Sequence, residues 1–190
     1  MVKGKKIVKK KKWVSLIASD IFNKQVIGET LVEEPEHAVG RHVVASLATL
    51  GVDTQRQNVQ VELVLTKVDQ NNVVAEPVGY FITPNSARKL VRRGRTKIDD
   101  SFAVKTQDQK IVRLKPLLLT RTRTSGKTRA LLIKATRAFL NKEVAKKNYD
   151  ELFKQLVVHS FQRSLQEHLK KIFPMSVSEI RMMRLEQAAA

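Results

Sequence analysis

Residues 58–83 read NVQVELVLTKVDQNNVVAEPVGYFIT, and their pattern decides the fold. Two runs, each largely alternating apolar with polar residues, flank Asp69-Gln70-Asn71-Asn72. A period of two suits strands half-buried on a sheet, and the Asp/Asn-rich link between them suits a hairpin. Toward the N-terminus the same texture recurs in WVSLIA, QVIGETLV and RHVVASLATL, so residues 13–82 read mostly as strands. The stretch GETLVEEPEHAVG, with Pro35 and Gly40, reads as an acidic connecting loop.

Toward the C-terminus the period changes. TPNSARKLVRRG offers Thr83 as a cap, Pro84 just inside and Gly94 just beyond, which predicts a short helix near 84–93. TKIDDSFAVKT and KIVRLKPLLLTRT predict two strands joined at Gln107-Asp108-Gln109, with Pro116 marking an edge position or a bulge. Beyond Ser125 a basic amphipathic helix is expected, with Leu131, Leu132, Ala135, Ala138 and Phe139 toward one side. Asn148 caps further helix, as one long or two shorter pieces, that Pro174 ends; MSVSEIRMMRL reads as a final strand near 175–186, with a short helix as the alternative. The expected fold is α+β: a flexible basic arm over 1–12, a β-rich body over 13–122, and a helical C-terminal part over 126–190.

With 190 residues, 42% of them hydrophobic, the chain can bury a sizeable core. Its charge is less ordinary. Thirty-six Lys and Arg against 18 Asp and Glu give a net charge of +18, which self-repels unless a polyanion neutralises it. No apolar run approaches the roughly 20 residues of a membrane span, and the Lys-rich start is not followed by the clean apolar segment of a secretory signal. No cysteine is present, which excludes disulfides, thiolate catalysis and Cys-ligated zinc.

The cations are clustered. The arm carries Lys3, Lys5, Lys6, Lys9, Lys10, Lys11 and Lys12, followed at once by Trp13, an aromatic ring placed to stack on a base. A second group is Arg88, Lys89, Arg92, Arg93, Arg95 and Lys97. A third is Arg121, Arg123, Lys127, Arg129, Lys134 and Arg137, six cations in seventeen residues with no acid among them. A solvated face normally mixes signs; a run of one sign points to RNA phosphates. Extended backbone through Thr122 would put Arg121 and Arg123 on one face, with Gly126 letting the chain turn into the helix.

The same stretch contains Gly126-Lys127-Thr128, the end of a phosphate-binding loop, and a nucleotide-binding enzyme or switch is the rival reading. That loop needs a glycine at 121, where this chain has Arg. Glu29, Glu33, Glu34, Glu36 and His37 lack recognisable metal-ligand spacing. Asp99 and Asp100, adjacent on a strand, point apart and cannot form an acid/base pair. No catalytic residue, cofactor or metal is therefore expected. A free RNA chaperone or translation regulator would share the basic surface.

Several ordered blocks resemble the family of small-ribosomal-subunit proteins known as S-one-e or S-three-Ae. They are KKWVSLIASDIFNKQVIGETLV, GRHVVASLATL, DSFAVKTQDQKIVRLKPLLLTRTR and KKIFPMSVSEIRMMRL, which together span residues 10–186. The resemblance implies a structural protein of the subunit platform near the mRNA exit side. It implies contacts with the 3′ region of the subunit RNA and with neighbouring platform proteins, with messenger RNA as a further candidate. It also implies an antiparallel β-barrel-like body followed by helices, a cytoplasmic ribosome and no catalysis. Two departures stand out. Asp108-Gln109 replaces the family's Asp-Gly turn, and EQAAA stands where eukaryotic members carry a long extension, so an archaeal form is expected.

Overall fold

The computed structural model describes residues 10–53, 56–69 and 72–186. The strands β4 (Val59–Asp69) and β5 (Asn72–Ile82) pair antiparallel from Val59↔Ile82 to Asp69↔Asn72, the hairpin that the alternation predicts. Val59, Val61, Leu63 and Leu65 of β4 are buried with Val73 and Ala75 of β5, because a period of two sends them to one face. A register shift leaves Val78 as an extra residue beside Pro77, which has no N–H to give the ladder.

The strand β5 is long enough to hold two partners along its other side. Its first half pairs in parallel with β1 (Lys12–Ala18), from Ser15↔Asn72 to Ala18↔Ala75. Its second half pairs antiparallel with β9 (Met175–Glu186), from Gly79↔Arg184 to Phe81↔Met182. Beyond β1 lies β2 (Val26–Val32), and beyond β4 lies β3 (His42–Ser46). The strand β8 (Ile111–Thr120) runs against β9 and takes β6 (Lys97–Asp99) and β7 (Phe102–Lys105) on its far side. The result is an α+β protein whose nine-stranded sheet is mostly antiparallel, but it branches at β5 and stays open among the described residues. Barrel-like is thus a loose description, and the β1–β5 pair is parallel.

Local boundaries differ from the sequence reading for identifiable reasons. RHVVASLATL is strand only to Ser46; Leu47 and Leu50 are buried from a turn. Of GETLVEEPEHAVG, the first residues complete β2, and a 3-10 turn at Pro35–Ala38 follows. The helix α1 (Pro84–Leu90) starts at Thr83 as expected, but Val91 is already extended and Gly94, at φ +80°, sits in the loop beyond. TKIDDSFAVKT breaks into β6 and β7 because the Asp100 carboxylate accepts from the Ser101 N–H at 2.9 Å, turning the chain. Pro116 marks a bulge, not an edge. It coincides with a register shift against β9, and on its other side it falls between the segments paired with β7 and β6.

Three helices connect β8 to β9: α2 (Gly126–Val144), α3 (Tyr149–Val157) and α4 (Ser160–Lys170). The buried stripe of α2 is Leu132, Thr136, Leu140 and Val144, spaced by four, whereas Leu131 is 52% exposed and Ala138 is exposed. Thr136 can join an apolar stripe because its hydroxyl donates to the Leu132 carbonyl at 2.7 Å, a bond internal to the helix. The break between α3 and α4 is His159, at φ +68°, held by Glu179 of β9 with Nε2 to Oε1 at 2.8 Å. At the start of α3 the Asn148 side chain makes no cap bond; Asp108 of the β7–β8 turn accepts from the Tyr149 N–H at 3.0 Å instead. Phe153 meets Phe22 edge-on at 6.1 Å, and the Tyr149 hydroxyl donates to the Pro77 carbonyl at 3.1 Å, so α3 is anchored to both β1 and β5 surroundings. Burial pushes the Tyr149 phenol well above its ordinary value, so it stays neutral and able to donate.

Candidate nucleic-acid interface

Two basic clusters, separated by more than twenty residues of sequence, are stapled together by threonines. The Thr96 N–H donates to Thr120 Oγ1 at 3.0 Å, the Thr120 N–H donates to the Thr96 carbonyl at 3.1 Å, and the Thr124 N–H donates to Thr96 Oγ1 at 3.0 Å. The Thr120 hydroxyl also donates to the Thr122 carbonyl at 2.7 Å. Thr120, the last residue of β8, is fully buried and Thr96 partly so, and these bonds satisfy the backbone where the β6–β8 ladder ends. The loop carrying Arg92, Arg93 and Arg95, which leads into Lys97 of β6, is thereby fixed against the loop carrying Arg121 and Arg123.

Arg121 and Arg123 therefore do not lie on a strand. The strand β8 ends at Thr120, since the Arg121 N–H turns to the Pro174 carbonyl at 3.0 Å. Both side chains are exposed from the β8–α2 loop. Nor does Gly126 serve a turn. It is the first residue of α2, its φ lies outside the left-handed region, and an added Cβ would meet nothing within 4 Å. Gly126-Lys127-Thr128 is simply the first helical turn: Ser125 Oγ accepts from the Thr128 N–H at 3.3 Å and pairs with Thr128 Oγ1 at 3.0 Å. Those groups are committed to capping, not to a phosphate loop.

Among the described residues, Arg92, Arg93, Arg121, Arg123, Lys127 and Arg129 are exposed and have no acid within ion-pairing distance. Uncompensated cations held this close repel one another, and a polyanion relieves that repulsion. The Arg121–Pro174 bond also brings the end of α4 alongside. Lys170 at the end of α4 and Lys171 just after it are exposed, and the sequence reading did not single them out. Two adjacent cations before an aromatic-Pro stop were the available signal.

Other members of the clusters are placed differently. Arg137 forks onto Asp100, Nε to Oδ2 at 2.6 Å and Nη2 to Oδ1 at 2.8 Å, and lies over the Phe102 ring at 5.8 Å. Its guanidinium holds the Asp100 carboxyl below the usual carboxylate range. Lys97 pairs with Asp99 at 3.1 Å, an acid also held by Arg181 at 3.1 Å, and Arg95 donates to Ser176 Oγ at 2.6 Å. Arg88 and Lys89 are exposed on α1, and Lys134 is exposed midway along α2. Asp99 and Asp100 do point to different partners, as their adjacency on extended chain predicts.

Lys10, Lys11 and Lys12 are exposed; Lys3, Lys5, Lys6 and Lys9 lie outside the described residues. Trp13 is 65% exposed and faces Leu31, 41% exposed, across the β1–β2 ladder, so the indole sits on open apolar surface beside Lys12. Phe22 and Tyr80, by contrast, are buried in the core.

Further cations on the sheet face were not flagged by sequence: Arg113, Lys115 and Arg184, with His42. Most are internally neutralised. Arg113 pairs with Glu186, while Arg184 and His42 both meet Glu62 Oε1, at 3.2 and 2.9 Å. Gly79 leaves room for this, because a Cβ there would crowd Glu62 Oε2 at 3.0 Å and Glu62 Cβ at 3.2 Å. No helix of the described residues is long and apolar enough to cross a membrane.

Known proteins resemble the chain across nearly its whole length. It is 30% identical to the small ribosomal subunit protein eS1 of Nanoarchaeum equitans, covering 94% of this chain and 90% of that one. It is 30% identical to the eS1 protein of Halorubrum lacusprofundi over 93% of this chain and 82% of that one. The corresponding figures for the eS1 protein of Methanoculleus marisnigri are 28%, 96% and 92%. The sequence model of the Ribosomal S3Ae family matches residues 2–189, and the chain belongs to that family.

Proposed function

We propose that the Thr96–Thr120 junction is an rRNA-binding surface, in which arginines and lysines from two loops and the start of α2 sit on RNA phosphates. Membership in the S3Ae family makes the chain a structural component of the small ribosomal subunit and not an enzyme. The observation that carries the finer reading is the stapled pair of clusters: six exposed cations without acid partners, on a mount fixed by buried threonine bonds. In A-form RNA the deep groove resists side chains, so contact is to backbone and shape, with base readout minor. Lys10, Lys11 and Lys12 extend the basic surface toward the N-terminus, and exposed Trp13 offers a stacking face for an unpaired base.

The resemblance supports a location on the platform near the mRNA exit side of a cytoplasmic ribosome. The RNA bound would then be the 3′ region of the small-subunit rRNA, and the neighbours other platform proteins and messenger RNA. The test is crosslinking mapped to single residues in intact small subunits, combined with a high-salt wash. Retention through the wash, with crosslinks from Arg92, Arg93, Arg121, Arg123 or Lys127 to rRNA, is the expected result. Release into the wash would favour a free chaperone or regulator, and crosslinks confined to other faces would remove the junction from the interface.

A further inference from the structure

Beside α1 lies a half-open pocket of about 340 Å³ that the basic surface does not explain. Its apolar walls are Val59, Ile82 and Leu90, and its polar lining includes Asn58, Tyr80, Ser86, Lys89, His159 and Glu179. The volume falls at the small end of the roughly 300–1,000 Å³ range of ligand pockets, and the mixture of apolar wall with a few convergent polar groups is what such pockets need.

The chemistry of the lining is selective. Glu179 is the one carboxylate in it, and it comes pre-oriented: Oε1 holds His159 Nε2 at 2.8 Å, while the carboxylate keeps its other oxygen outside that pair. The buried phenol of Tyr80 in the lining is kept neutral by burial, with the Glu179 charge adding to the effect, so no second anion competes there. Lys89 is exposed at the rim, and among the described residues no acid pairs with it. Arg56 forms one wall, its Nη1 donating to the Val157 carbonyl at 3.3 Å. A carboxylate acceptor, aliphatic walls and an exposed cation in one lining match a nucleotide whose base enters and whose phosphate stays outside.

We infer that this pocket takes an unstacked nucleobase, with guanine preferred, its adjacent N1–H and N2–H donors on Glu179 and its phosphate on Lys89. Guanine offers two neighbouring donors on one edge, whereas adenine, cytosine and uracil each offer a single donor group beside an acceptor that the carboxylate repels. Splayed-out bases read on this edge are the usual route to sequence-specific contact with RNA. The inference rests on the RNA-binding reading for the source of the base; a free guanine nucleotide would present the same chemistry.

The test titrates the full chain with GMP, AMP, CMP and UMP, and with short single-stranded RNAs carrying one G or an A in its place, while amide shifts are followed by NMR. GMP is expected to shift Asn58, Ser86, Lys89 and Glu179 saturably, with the other nucleotides weaker by roughly tenfold. Glu179→Gln and Ser86→Leu, the latter filling the mouth from α1, should each abolish the preference while leaving low-salt binding of structured rRNA nearly unchanged. Tighter binding of the G-containing RNA than of GMP identifies RNA as the source; equal affinity identifies the free nucleotide. Equal shifts from all four nucleotides, confined to the Arg92–Arg129 surface, or a G preference that survives Ser86→Leu, would overturn the pocket. Loss of structured-RNA binding with GMP binding intact would instead sink the RNA-binding reading and leave the pocket standing.

Discussion

Replacing Arg92, Arg93, Arg121 and Arg123 together by Gln tests the basic junction most directly, because these four are exposed and unpaired among the described residues. Each Lys or Arg that neutralises a phosphate adds about 0.7–0.9 to the slope of log K against log salt, through counterion release. The six uncompensated cations of the junction therefore contribute a slope of about −4 to −5. Removing four should flatten the measured slope by about 3 and weaken binding by roughly a thousandfold near 0.1 M salt, but only about fiftyfold near 0.3 M. The assay is fluorescence anisotropy with a structured fragment of the small-subunit rRNA across that salt range, with thermal melts to confirm folding. Lys97→Gln and Arg137→Gln are the paired controls. Their charges are already held by Asp99 and Asp100, so each should move the slope by less than about half a unit. If the four-residue variant keeps the native slope, or the controls flatten it as much, the unpaired cations are not what binds and the reasoning fails.

Other expectations concern the mount. Thr96→Val keeps every charge but leaves the Thr124 N–H without its acceptor; the local cost is about 1 kcal/mol, and RNA affinity should fall more than the melting temperature does. Gln109 occupies φ +60°, in the left-handed region that favours Gly. Gln109→Gly relieves a left-handed strain of roughly 1–2 kcal/mol against a chain-entropy cost of roughly half that, so differential scanning calorimetry should show Tm rising by about 2 °C; an unchanged or lower Tm would contradict the strain. Asp108→Ala removes the only side-chain cap seen at the start of α3, and urea melts should show a loss of about 1 kcal/mol, with Asp108→Asn losing less because an acceptor remains.

Periodicity exposed the hairpin of β4 and β5, because half-buried strands must alternate whatever surrounds them. Composition and the runs of single-sign charge exposed the polyanion partner, since charge is additive and needs no geometry. The Thr83-Pro84 start of α1 and the Pro174 stop were legible for the same local reason. What stayed hidden depended on neighbours far along the chain. The acid-free run 121–137 is acid-free only in sequence, as Asp100 comes in from before β7 to hold Arg137. Thr136 counts with Leu132 on the buried stripe of α2 because its hydroxyl is satisfied within the helix, which apolar counting does not register.

Taken by itself the sequence determined an α+β chain of high positive charge, because strand alternation, helix caps and net charge are properties of a few neighbouring residues. Only the tertiary structure decided that β5 is shared between β1 and β9, so that the sheet branches and stays open. It alone decided that Thr96 and Thr120 join two basic loops, and that Asn58, Ser86 and Glu179 line one pocket. The physical reason is common to all three: each depends on pairing between residues distant in sequence, where burial and hydrogen-bond satisfaction across the whole fold, not local preference, select the partner.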